Sequence, residues 1–112
     1  MSTIGKIEGE RMAALACINR VLLRAAELDW ESNTLDQLEQ IKDRLDGPAP
    51  CARRNGVAMR RTLTALRSAT SRLTAVADVM KTSADFSDRM PGLVNSATTV
   101  AGQVLKLRNG RH

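Results

Sequence analysis

Residues 59–80 read MRRTLTALRSATSRLTAVADVM and residues 86–107 read FSDRMPGLVNSATTVAGQVLKL, and these two stretches decide the fold. In the first, Met59, Leu63, Leu66, Thr70, Leu73, Ala77 and Met80 are spaced 4-3-4-3-4-3. Phe86, Met90, Leu93, Ala97, Val100, Val104 and Leu107 repeat that spacing in the second. A repeat of about 3.5 residues is the seam of two helices packed side by side. The six-residue step from Met80 to Phe86 breaks the phase, so a turn near Thr82-Ser83-Ala84-Asp85 fits better than one continuous rod. Pro91 lies inside the second run, which predicts a helix starting near it with the proline in its first turn, or else a kink. The two runs therefore read as a long helical hairpin. Ser and Thr are mediocre helix formers and are frequent here, so packing must hold the hairpin together.

Upstream, Ile4, Ile7, Ala14, Leu15, Ile18, Val21, Leu22, Ala25 and Leu28 fall on one side of a helix of 3.6 residues per turn. A break follows at Asp29-Trp30-Glu31-Ser32-Asn33. Thr34 with Gln37 reads as a capping box, and Leu35, Leu38, Ile41 and Leu45 supply an apolar seam. Gly47 suits the residue after a helix end, and Pro48 forbids continuation. The expected fold is all-α, an antiparallel three- or four-helix bundle built around the hairpin, with helices near 4–28, 34–46, 53–82 and 86–108. At 112 residues it is one domain. The second helix is about half as long as its neighbours, so part of the hairpin seam is expected to stay exposed and to favour a homodimer.

Composition agrees. Aromatics are 2% of the chain, Trp30 and Phe86 alone, and the β-branched and aromatic runs of a sheet core are missing. Two cysteines, Cys17 and Cys51, are too few for a disulfide scaffold and read as free thiols of a cytoplasmic protein, with a single bridge as the alternative. No apolar leader and no stretch near ~20 apolar residues is present, so a secretory signal and a membrane span are not expected.

The net charge of +5 is unevenly spread. Residues 27–46 carry seven acids against two bases, a net −5, whereas residues 47–77 carry six arginines and no acid. Arg53, Arg60 and Arg67 recur every seven residues, and Arg54, Arg61 and Arg72 form a second row. Both rows are expected roughly opposite the Met59-Leu63-Leu66-Leu73 seam, as a ridge more than about 25 Å long if the helix starts at Arg53. Two readings compete. The ridge either neutralises the acidic second helix, where exposed pairs contribute about 0–1 kcal/mol each, or it binds a partner. That partner would be an acidic protein surface, including a second copy's acidic helix, or nucleic acid, since the planar guanidinium fork suits phosphate. A membrane surface fits poorly, because the seams are narrow and aromatics scarce. Trp30 reads as a lid over the bundle end or, alternatively, as an exposed anchor at an interface.

Catalysis and metal binding are not expected. The one histidine, His112, is terminal, and the cysteines lie thirty-four residues apart, which excludes Cys-His and Ser-His pairs and the usual ligand sets. No phosphate-loop or dinucleotide motif occurs, and no cofactor is implied. A helix-turn-helix fails on Pro48 and Pro50 and on Thr62 in an apolar place, and base-stacking aromatics are absent from the arginine segment. The sequence thus points to a helical interaction protein, an adaptor, chaperone or inhibitor of a larger protein. Its rival is a basic, sequence-indifferent nucleic-acid binder.

Overall fold

The computed structural model describes residues 3–47 and 56–109. They form four helices: α1 (Thr3–Glu27), α2 (Asn33–Leu45), α3 (Gly56–Asp78) and α4 (Ser83–Asn109). The molecule is an all-α bundle 44 Å long and about 20 Å across. Around its axis the helices run α1, α2, α4, α3; α1 and α4 also touch across the centre, whereas α2 and α3 make no contact. The section is therefore a rhombus with α2 and α3 at its far corners. The thiol of Cys17 reaches the Leu73 carbonyl and Arg20 reaches Asp78, so α1 and α3 run parallel. Both are antiparallel to α4.

The hairpin seam is the core. Met59, Leu63, Leu66, Thr70, Leu73 and Met80 are buried, Ala77 is half-buried, and all seven positions of the second run are buried. The expectation that part of this seam stays exposed is corrected. Although α2 is short, the 25-residue α1 runs along α3 and touches α4, and Ile7 is buried with Met59, Leu63, Val104 and Leu107 in one cluster. One chain closes its own seam.

Two helix starts also differ from expectation. The cap of α2 is Ser32, whose Oγ accepts from the Thr34 N–H and from the Thr34 hydroxyl, two residues before the expected cap. The hairpin turn comes earlier too, since α3 ends at Asp78 rather than near 82 and α4 begins at Ser83. A reciprocal capping box fixes that start. The Asp85 carboxylate accepts from the Lys81 and Thr82 N–H groups, and the Asp85 N–H donates to Thr82 Oγ1. Pro91 consequently lies in the interior of α4, not in its first turn. Its ring is exposed to solvent.

Helix α1 stops in a Schellman motif. The Trp30 N–H bonds to Ala25 O and the Asp29 N–H to Ala26 O, with Asp29 at φ 54°, in the left-handed region. This turn folds Trp30 over the bundle end, where its ring lies 5.5 Å from Phe86 and its Nε1 donates to Ser87 Oγ at 3.1 Å.

Candidate interaction surface

Of the six arginines of the anticipated ridge, Arg53 and Arg54 lie outside the described residues, as does Cys51. Arg60, Arg61, Arg67 and Arg72 all project from α3 into solvent. They do not form one ridge opposite the seam. Arg60 stands five full turns before Asp78, and Arg67 lies close to the same line, so these two share the flank that Asp78 turns toward Arg20 of α1. Arg61 and Arg72 lie about 100–120° further round. There Arg72 borders a shallow groove with Asn95, Ser96 and Thr99 of α4. The crest between the rows is uncharged and exposed: Thr64, Ser68, Ser71 and Ala75. From Arg60 to Arg72 the cationic surface spans about 18 Å.

The neutralisation reading fails on topology. Helix α2 sits at the opposite corner from α3 and does not touch it. Among the described residues, the ion pairs are Arg11–Glu8, Arg20–Asp78 and Arg24–Glu27, and none involves the four α3 arginines. From Gly56 to Ala77 in α3, and from Arg89 to Asn109 in α4, the sequence has no acid, so this part of the hairpin supplies no carboxylate to its own guanidiniums.

The acidic corner has its own order. Asp36, Glu39, Asp43 and Asp46 are spaced 3-4-3, fall within about 80° on the helix, and are exposed. The opposite side of α2, with Gln37, Gln40, Ile41 and Arg44, faces Val94 and Thr98 of α4. The acidic stripe thus looks outward beside α1. Charge counting found the acids, and only their spacing on a helix reveals that four of them make a face.

Trp30 is not brought together with the arginines; it closes the end of the bundle where α1 stops and α4 starts. Near that end a half-open cavity of about 540 Å³ has a floor of Val21, Ala77, Met80 and Phe86. Its rim carries Arg20, Arg24 and Lys81, but Arg20 and Arg24 pair there with Asp78 at 3.9 Å and Glu27 at 3.6 Å.

One cation that pattern reading passed over is built into the fold. Arg11 lies within the apolar stripe of α1 and is only 8% exposed. Its guanidinium pairs with Glu8, and its Nη1 donates to the Leu45 carbonyl at 2.6 Å, at the C-terminus of α2 where a cation also suits the helix dipole. The hydrogen bond to Glu8 outweighs burial and raises the Arg11 pKa above its ordinary value. Cys17 is buried with its thiol toward the Leu73 carbonyl, and burial pushes its pKa up. That is the reverse of an activated nucleophile. Among the described residues no group of three His, Cys or carboxylate side chains gathers as a metal site, and no helix is long and apolar enough to cross a membrane.

No protein-family model matches this chain, and searches of characterised proteins and of solved structures gave no match either.

Proposed function

We propose that this chain is a non-enzymatic helical interaction module, an adaptor, chaperone or inhibitor of a larger protein, whose arginine-bearing α3 receives an acidic protein surface. The observation that carries this reading is the exposure of Arg60, Arg61, Arg67 and Arg72 with no ion pair among the described residues, while the chain's own acidic helix occupies the far corner. Holding like charges along one flank without compensation costs stability, and a partner's carboxylates would relieve it. Two separated rows of guanidinium groups suit a surface that straddles the helix better than a single thread.

Nucleic acid is the second reading, and what favours it is the acid-free run shared by α3 and α4. Binding of that kind would be directed at the phosphate backbone and steeply salt-dependent.

Fluorescence anisotropy decides between them, with labelled poly-glutamate and labelled duplex DNA each titrated at about 50 and about 200 mM salt. The proposal expects poly-glutamate to bind and the Arg60→Glu/Arg61→Glu variant to lose it, with no duplex binding even at the lower salt. Tight duplex binding that collapses with salt and disappears in the same variant would replace the first reading with the second.

A further inference from the structure

We infer that one acidic surface fitting α3 belongs to a second copy of this chain, so that the molecules join head to tail, the α2 stripe of one copy lying against the arginine flanks of the next. This inference rests on the interaction reading above and names a partner for the same face.

The two faces match in sign and in length. The carboxylates Asp36 to Asp46 cover about 15 Å of helix and the guanidiniums Arg60 to Arg72 about 18 Å. Each face also has an exposed apolar side chain beside it. Met12 is 53% exposed, and its Sδ lies 3.6 Å from the Arg11 guanidinium that caps α2, next to Asp46. Val57 is likewise 53% exposed and lines a shallow surface with Arg60 and Arg61. A small apolar contact ringed by charge is the ordinary plan of a protein interface.

Symmetry then follows from the rhombus. The two faces sit on helices at diagonally opposite corners that do not touch, so one chain does not pair them with each other. Each copy offers one acidic and one basic face, and such a heterologous contact builds a closed ring or an open chain of copies. Exposed ion pairs are individually weak, so association should need high protein concentration and low salt.

Sedimentation velocity at about 50 and about 500 mM salt tests this, over a hundredfold range of protein concentration. At low salt the mass should rise with concentration past that of a dimer, and at high salt it should return to the 12.2 kDa of the single chain. Arg60→Glu/Arg61→Glu and Glu39→Lys/Asp43→Lys should each sediment as single chains at low salt. Mixed in equal amounts they should associate again, because each then carries a face complementary to the other. Wild-type protein that stays at 12.2 kDa throughout, or a mixture that fails to associate, overturns the inference. Poly-glutamate titrated into the same samples separates the two levels. A wild-type single chain that still binds it through Arg60 and Arg61 loses the self-assembly and keeps the interaction face, whereas one that does not bind it loses both.

Discussion

Arg11 and the arginines of α3 are the same residue type in two opposite situations. Arg11 points inward from α1, paired with Glu8 and holding the last turn of α2 through the Leu45 carbonyl. Arg60, Arg61, Arg67 and Arg72 point outward, and their guanidiniums form no ion pair among the described residues. The difference is one of register. Arg11 follows Ile7 by four residues and precedes Leu15 and Ile18 on the buried side of α1, so its charge had to be satisfied before the helices could pack. The α3 arginines flank their seam, where packing demands nothing of them. A cation the fold needs and a cation free for a partner are told apart by position on the helix.

Replacing Arg11 with Ala is the sharpest way to break that contrast. It removes the buried guanidinium from the Leu45 carbonyl and the Glu8 carboxylate and should cost about 2–3 kcal/mol. A thermal melt should read this as a fall of about 10 °C. Arg67→Ala, on an exposed flank, should stay within about 0.5 kcal/mol of the parent. Equal losses for the two variants would mean that the α3 arginines also support the fold, and that no face is left for a partner.

A buried polar group that is not satisfied provides the converse. Thr70 sits in the α3 seam, and its hydroxyl has no hydrogen-bond partner among the described residues, while Thr62, Thr64 and Thr74 on the same helix bond back to carbonyls four residues earlier. Thr70→Val keeps the shape and removes the stranded oxygen, so it should stabilise the protein by about 1 kcal/mol. Chemical denaturation should show the midpoint rising with an unchanged slope. A loss instead would show that the Thr70 hydroxyl is satisfied in solution.

Backbone conformation gives a smaller gain at the other end of α1. Asp29 holds a left-handed φ of 54° in the Schellman motif, a place where glycine carries no steric cost. Asp29→Gly should add about 0.5 kcal/mol, visible as a rise of a few degrees in the melting temperature. It should leave the Trp30–Phe86 contact, and hence the tryptophan emission, in place. Changed emission would show that the turn depends on the aspartate side chain rather than on its φ.

Much of this was readable in the sequence, and the exceptions have physical causes. The two 4-3 runs located the core because a seam position is buried whichever helix comes to face it. Helix adjacency was not readable. The short link between the acidic and basic helices suggests neighbours, but the sites at which α2 docks are set by α1 and α4, and they place it across the bundle from α3. The divergence of the arginine rows was available from the wheel, since Arg60 and Arg61 are consecutive and so stand about 100° apart. The early start of α4 was available too. Thr82 followed by Asp85 is a capping signal, whereas a proline read as a first-turn residue draws the boundary too late when the helix continues through it, as α4 does through Pro91. Arg11 was passed over because a charge within an apolar stripe looks like a gap in the pattern, and the carbonyl it caps belongs to another helix.

Carboxylates offer the same contrast as the arginines, at the smallest scale. Asp36, Glu39, Asp43 and Asp46 face solvent without an ion pair among the described residues, whereas Asp85 is engaged by the backbone, accepting N–H bonds from Lys81 and Thr82. Those bonds favour the ionised form and hold the Asp85 pKa below its ordinary value. A carboxylate whose folded pKa is depressed adds stability that is present above its unfolded pKa and fades as pH falls through the folded one. The start of α4 should therefore weaken below about pH 4. An NMR titration should place the Asp85 carboxyl midpoint under the usual aspartate range, and Asp85→Asn should flatten the acid limb of a melting-temperature profile. A midpoint for Asp85 in the ordinary range would show that the capping box is open in solution, leaving Asp85 as solvated as the carboxylates of α2.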